Sequence, residues 1–218
     1  MGKRFELLVF DWDGTLHDSV AAIVTSLQRA CLDLDQCMPT DLCARQVIGL
    51  GLVDALRHVA PELDEARYPE LADRYRFHYL ASDLDLKLFD GIHDMIEELH
   101  ARGYLLAVAT GKSRRGLNRV LEYSGIGSFF SASRCADECF SKPHPQMLLE
   151  LMDEFAIDPE NVLMIGDTTH DMQMAINAGV NGMAVTYGAH SSTQLAALNP
   201  LWQVDSVADL SALLMDRA

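Results

Sequence analysis

Aspartates stand at positions 11 and 13 in Phe10-Asp11-Trp12-Asp13-Gly14-Thr15, directly after an apolar run. Two more, Asp167 and Asp171, follow a second such run in Gly166-Asp167-Thr168-Thr169-His170-Asp171. Thr110-Gly111-Lys112 follows a third run, and Lys142 lies in Ser141-Lys142-Pro143-His144-Pro145. Any one of these aspartates alone would read as a helix cap or a solvated loop residue. Together they make a set that handles phosphate and a metal ion. Carboxylate oxygens suit Mg²⁺, which keeps several waters and needs only a couple of protein carboxylates beside a substrate phosphate; Asp11 and Asp167 are the expected ligands. As a nucleophile, Asp11 would form an acyl-phosphate, provided the metal and Lys142 offset the repulsion between its charge and the phosphate. Asp13 is placed to protonate the leaving oxygen and then to deprotonate the hydrolytic water. Thr110 would donate its hydroxyl to a non-bridging phosphate oxygen with the Gly111 amide beside it, at the start of a helix from Ser113. Asp171 is expected to orient Lys142 or a metal-bound water. Gly14 permits close backbone approach, and Thr15 is read as the start of the next helix.

Four short runs, Leu7 to Phe10, Tyr104 to Ala109, Val162 to Ile165 and Gly182 to Thr186, are each followed by turn residues and a helical period. That alternation predicts an α/β fold, a parallel sheet with helices on both faces, in which ligands bind at the carboxyl ends of the strands. The runs at 105–109 and 162–165 are continuously apolar, as central strands covered on both sides must be. The interval from Asp18 to Phe89 reads as helix throughout: an amphipathic stretch from Ser19 to Leu32, a second helix capped at Thr40 or Asp41 and running through Arg57, and a third from Tyr68 to Ala81. One crossover needs one helix, so this excess predicts a helical insertion over 18–89 in a core made of 1–17 and 90–218. Asp90-Gly91 marks the return to the core, and the helix from Ile92 to Arg102 ends at Gly103.

The chain has 218 residues, half of them hydrophobic at 49%, and a net charge of -15. It is long enough to bury a large core, and its charge opposes nucleic acid and anionic membranes, leaving a small phosphorylated metabolite as the expected partner of a monomer or homodimer. Cys31, Cys37, Cys43, Cys135 and Cys139 show no metal-ligand spacing and read as free thiols, with Cys135 and Cys139 on one helix face. The N-terminal Met-Gly-Lys-Arg-Phe-Glu enters an apolar run without a cleavage pattern, so a cytoplasmic location is expected. His144 and His170 read as helix-start residues. Met164, Met172 and Met174 read as core. Lys112, Arg114 and Arg115 form a basic cluster that would guide anions or simply be solvated. Gly49-Leu50-Gly51 is either a substrate-facing loop or a turn between helices.

At these residues the chain resembles the haloacid dehalogenase superfamily, in particular its phosphatases with a helical cap. The matching segments are Asp11-Trp12-Asp13-Gly14-Thr15, Thr110, Lys142 and Gly166 through Asp171, in that order. The resemblance implies a Rossmann-like doubly wound core, a mobile cap that governs substrate choice, and a metal held by Asp11, the backbone carbonyl of Asp13, and Asp167. Dehalogenases of this superfamily do not keep the second aspartate of the first motif, because halide departure needs no proton. The presence of Asp13 favours phosphoryl chemistry. The expectation is a Mg²⁺-dependent phosphomonoester hydrolase similar to phosphoglycolate phosphatases, with a pyrophosphatase, a sugar phosphomutase or a non-catalytic regulatory member as rivals. Trp12 and His17 are unusual occupants beside the first motif, and their part in lining the site is open.

Overall fold

The computed structural model describes residues 4–82 and 87–218. The first three residues, and 83–86 near the end of the expected insertion, lie outside the described residues.

Strand β1 (Leu7–Phe10) is buried along its whole length, because alternate residues feed opposite faces of the sheet. It pairs in parallel with β2 (Leu105–Thr110) on one side and β4 (Val162–Gly166) on the other. Outside these lie β3 (Ala132–Cys135), β5 (Asn181–Val185) and β6 (Trp202–Val204), giving the order β3-β2-β1-β4-β5-β6 with every pairing parallel. On one face Leu8 and Phe10 pack with α5 (Ile92–Ala101), α6 (Arg114–Ser124) and α10 (Val207–Arg217); on the other, Leu7 and Val9 pack with α7 (Gln146–Phe155) and α8 (Thr169–Ala178). A short α9 (Ser192–Ala196) sends Leu195 against Met172 and Ala184. This is the doubly wound α/β architecture. The chain order reverses at β1, between its partners β2 and β4, and that is the switch point where such sheets bind ligands.

Between β1 and α5 the chain forms α1 (Val20–Asp33), α2 (Asp41–Gln46), α3 (Leu52–Val59) and α4 (Tyr68–Ser82). These helices bury a separate apolar cluster that includes Leu27, Leu56 and Leu71, to which the core adds Ala189. The expected second helix is in fact two. Thr40 caps α2 by accepting from Cys43 N at 3.2 Å, but Gly49 adopts φ +93° and the chain restarts at Gly51, so no helix continues to Arg57. Thr15 starts no helix either: residues 12 to 17 close a tight turn, with the His17 and Leu16 amides donating to Trp12 O, and α1 begins after Ser19. Cys135 ends β3 and Cys139 lies in the turn beyond it, so they share no helix; all five thiols are free. β3 and β6 escaped the sequence reading because they are edge strands of mixed polarity, Ala-Ser-Arg-Cys and Trp-Gln-Val, without an apolar run. Met164, Met172 and Met174 are buried as expected.

The insertion touches the sheet end through backbone. A Cβ at Gly111 would run into the Leu50 carbonyl oxygen and lie 2.7 Å from that of Gly49, so only glycine lets the turn between α2 and α3 rest here. Gly111→Ala is expected to destabilise the protein by about 1–3 kcal/mol, the usual cost of overpacking, and to raise KM as the turn lifts; urea titration and steady-state kinetics check both. Wild-type stability and KM would show that the contact is slack.

Candidate active site

The register places Phe10 beside Val108 and Ile165, so Asp11 is level with Ala109, one residue before the end of β2, and with Gly166, which ends β4. Asp11, Asp167 and Asp171 are all buried and offer carboxylate oxygens within 4.8 Å of one another. Lys142, from the turn before α7, reaches into this group and pairs with Asp11 Oδ1 at 2.9 Å and Asp171 Oδ1 at 2.7 Å. The other Asp171 oxygen accepts from the Thr168 amide at 3.1 Å and its hydroxyl at 2.6 Å, closing a capping box at the start of α8. Asp171 is thereby spent on Lys142 and the helix end, which fits its expected orienting part.

Asp167 accepts from Thr15 Oγ1 at 2.7 Å on one oxygen and from Ala189 N at 2.7 Å on the other. A Cβ on Gly14 or Gly188 would overlap its carboxyl group, so two glycines allow the backbone to close round it. Gly14 also turns at φ +79°, a conformation costly for other residues. Asp11 Oδ1 accepts a second bond, from the Trp12 amide at 2.7 Å, whereas Asp11 Oδ2 is buried with no hydrogen-bond partner. An unpartnered buried carboxylate oxygen is costly unless a cation or a reacting atom meets it.

Electrostatics divide these carboxylates into two kinds. Burial pushes the Asp11 carboxyl well above the ordinary range, and repulsion from Asp171 and Asp167 adds to it against the pull of Lys142. Burial likewise raises Asp167 to about 7, with Asp171 adding to the shift. Asp13 is buried as well, but Lys112, His17 and a bond from Ser19 outweigh its desolvation and hold it below the ordinary range. Its oxygens are taken by Ser19 Oγ at 2.6 Å and Lys112 Nζ at 2.9 Å. Lys112 in turn donates to Tyr79 Oη on α4 at 3.1 Å.

Thr110 ends β2 fully buried, its hydroxyl oxygen accepting from the Lys112 amide at 3.2 Å. Asp11, Asp13, Gly111 and Lys112 line a cavity of about 680 Å³ between the sheet end and the inserted helices, and Gly49-Leu50-Gly51 lines it from above while also serving as a turn. Trp12 and His17 do not line it: Trp12 is buried against Phe130, their ring centroids 6.4 Å apart, and His17 stacks at a tilt on Trp12. Of the basic cluster, Lys112 is drawn into the site, Arg114 is tied to Glu138 at 2.7 Å, and Arg115 is an exposed residue of the cavity lining. His144 accepts from Gln146 N at the start of α7. His170 begins α8 but does more, because its Nε2 meets Gln46 O of α2 at 2.8 Å, and a carbonyl partner requires that nitrogen to carry the proton.

The sequence reading did not find the loop after β5, where Ala189 N holds Asp167, Tyr187 Oη donates to Thr15 O at 2.9 Å, and Gly188 O accepts from Arg45 at 3.3 Å. Its only signal was position, at the carboxyl end of a parallel strand. Tyr79 was invisible, since nothing in a helical pattern announces a partner across a cavity.

A family model described as haloacid dehalogenase-like hydrolase matches residues 8–185. The chain belongs to this family. It is 34% identical over 209 residues to "Probable phosphatase IndB" of Dickeya dadantii (strain 3937), covering 94% of this chain and 91% of that protein. It is 30% identical to a phosphoglycolate phosphatase of Haemophilus influenzae (strain 86-028NP), covering 98% and 100%. The crystal structure of a predicted phosphoglycolate phosphatase from Haemophilus somnus 129pt superposes with a TM-score of 0.85 at 27% identity, over 98% of this chain and 99% of that one. No helix among the described residues is long and apolar enough to cross a membrane.

The raised Asp167 carboxyl has a consequence for stability. Its folded pKa of about 7 lies above the ordinary 3.8, so between those values the folded chain keeps a proton that the unfolded chain has released. With metal chelated, this group's contribution is full below the lower value and is lost as pH rises through the upper one. Asp167→Asn keeps the shape, with its carbonyl facing Ala189 N and its amide facing Thr15. In EDTA at pH 8 the variant is expected to be more stable than wild type, by on the order of 2 kcal/mol or several °C in Tm, and equal to it near pH 4. Thermal melts across that range check it; a variant less stable at pH 8 would contradict the charge strain.

Proposed function

We propose that this hydrolase is a Mg²⁺-dependent phosphatase that cleaves phosphomonoester metabolites through a phospho-Asp11 intermediate. The observation that carries the reading is Asp11 itself, buried at the cavity floor with Oδ1 held by Lys142 and Trp12 N and Oδ2 left without a partner. The relatives named as phosphatases agree with it.

A divalent ion fits the residues present. One lysine faces three buried carboxylates, and the donors are hard oxygens. Asp11 and Asp167, with the Asp13 carbonyl, would hold Mg²⁺, while Asp171 stays with Lys142. When bound, the ion supplies positive charge that neutralises the carboxylates and the phosphate oxygens gathered there.

The rest of the chemistry falls to the chain's own groups. Asp11 Oδ2 attacks phosphorus, and the bond to the leaving oxygen breaks as that oxygen takes a proton from Asp13. Lys142 fixes the nucleophile through Oδ1 and offsets charge, and Thr110 with the Gly111 amide receives non-bridging oxygens. Asp13 must carry a proton for the first step, yet Lys112 holds it ionised. An arriving phosphate dianion competes for the Lys112 ammonium and so releases Asp13 to bind that proton. In the second step the carboxylate of Asp13 takes a proton from water as the water opens the acyl-phosphate. Residues 18–89 act as a cap over a core of 1–17 and 90–218, closing to exclude bulk water until the alcohol leaves. The acidic, thiol-bearing composition suits a cytoplasmic enzyme.

Hydrolysis of p-nitrophenyl phosphate that requires Mg²⁺ and stops with EDTA tests the reading, and release of inorganic phosphate from hexose 1-phosphate without an isomeric product separates it from phosphoryl return to a sugar. Asp11→Asn is expected to lose at least ~10³-fold in kcat, because an amide is a poor nucleophile; comparable turnover would remove Asp11 from the chemistry. Asp13→Asn should slow alkyl phosphates by about 10²-fold or more and aryl phosphates less, since phenolate leaves without help. Equal losses on both would refute its acid role.

A further inference from the structure

The cavity over Asp11 has a wall whose chemistry does not match a short, doubly anionic substrate. Its inner face is formed by Ile23 and Leu27 of α1, Val47 and Ile48 after α2, and Tyr75 and Tyr79 of α4. The first four are buried, and the two tyrosines stack with ring centroids 5.8 Å apart and planes 21° from parallel. A substrate such as phosphoglycolate needs a cation or a cluster of amide donors for its carboxylate once the phosphate is seated. Lys112, the cation on this side of the sheet end, is held by Asp13 at 2.9 Å and Tyr79 at 3.1 Å, and the phosphate that draws it from Asp13 then occupies it. Arg76 is committed to Asp73 at 2.8 Å and is exposed, as is Arg115, while Arg119 is half-buried with its guanidinium 6.0 Å from the Tyr123 ring. Asp54 and Asp137 also line the cavity and would repel a second anionic group. The volume of about 680 Å³ is that of a site for a drug-sized ligand, and a two-carbon acid would leave most of it wet against apolar walls.

We infer that the preferred substrate is a phosphomonoester whose leaving alcohol carries an aromatic or similarly flat apolar body, seated against half-buried Tyr75 and the apolar lining, with Tyr79 behind it beneath the Lys112 ammonium at 4.8 Å, rather than a short phosphorylated acid. This rests on the phosphatase reading above and specifies its substrate class. The Tyr75 face takes a flat ring by offset stacking, and Leu50, Leu52, Val53 and Leu80, which line the cavity and keep exposed surface, add area removed from water, so recognition comes from burial rather than from a second ion pair.

The test uses three alkyl esters, so that leaving-group acidity stays out of the comparison: 2-phenylethyl phosphate, ethyl phosphate and phosphoglycolate, each assayed for phosphate release with saturating Mg²⁺. The expected kcat/KM for 2-phenylethyl phosphate exceeds that for either of the others at least tenfold, with most of the difference in KM. Tyr75→Ser, at a half-buried position that tolerates a smaller polar residue, should cut the discrimination between phenylethyl and ethyl esters at least fivefold; thermal melting confirms that the variant is folded. Phosphoglycolate turned over as well as or better than 2-phenylethyl phosphate would overturn the substrate inference and leave the phosphatase reading standing. Discrimination unchanged in folded Tyr75→Ser would also overturn it. No Mg²⁺-dependent release from any of the three esters or from p-nitrophenyl phosphate would overturn both.

Discussion

Three carboxylates are buried together at the end of the central strands with one lysine to balance them, and that imbalance governs the architecture around it. Such a group is unfavourable in the chain alone, because desolvation and mutual repulsion both oppose ionisation. It persists because the fold fixes its members from four separate segments. β1 lies between β2 and β4, so Asp11 and Asp167 emerge side by side, while the turn before α7 delivers Lys142 and the first turn of α8 delivers Asp171. Gly14 and Gly188 remove the side chains that would keep the backbone away from Asp167. The strain is local, and a doubly wound sheet with apolar layers on both faces is rigid enough to hold it.

The same imbalance explains why the site is covered. A buried anionic group attracts a divalent ion strongly only while bulk water is kept out. The helices between β1 and α5 line the other side of the cavity, and among the described residues polar contacts join them to the core: His170 to Gln46 O, Gly51 N to Ser141 Oγ at 2.8 Å, Arg45 to Gly188 O, Lys112 to Tyr79, and Ser19 to Asp13. Each joins one residue of the insertion to one residue of the core, whereas the apolar clusters of the two parts are almost separate, sharing Ala189. Contacts of this kind exchange readily with water.

How much of this was legible in the sequence follows from what each signal encodes. Central strands announced themselves because burial on both faces demands an unbroken apolar run, as in Leu105 to Ala109; β3 and β6, solvated along one edge, carry no such demand and went unseen. That Asp11, Asp13, Thr110, Asp167 and Asp171 would lie at one edge of the sheet was legible because strand ends in a parallel sheet converge, a rule that needs only the order of elements, and Lys142 reaches the same edge from the turn before α7. Partners fixed by side-chain reach were not found. Nothing in the spacing of Thr15 and Asp167, or of Tyr79 and Lys112, says that they meet. The break between α2 and α3 was written in Gly49 and Gly51 and stood as one of two readings of that segment, against a helical period that ran on through Arg57.

The contrast between Asp11 and Asp13 shows how one environment can support two kinds of carboxylate. Both are buried, and they stand two residues apart. Asp11 shares its lysine with Asp171 and is pushed toward the neutral form, so it needs added positive charge before it can act as an anion. Asp13 has Lys112 without another carboxylate competing at hydrogen-bond distance, and it stays ionised. On the proposed mechanism, a nucleophile that becomes competent only when a cation arrives is protected from unproductive reaction. A proton carrier kept ionised must instead have its cation drawn away before it can bind the proton that it gives to the leaving group. The phosphate dianion is the ligand able to do this, because it brings negative charge to the face where Lys112 stands. On the proposed mechanism, substrate entry and proton readiness are coupled through Lys112, whose bond to Tyr79 reaches α4.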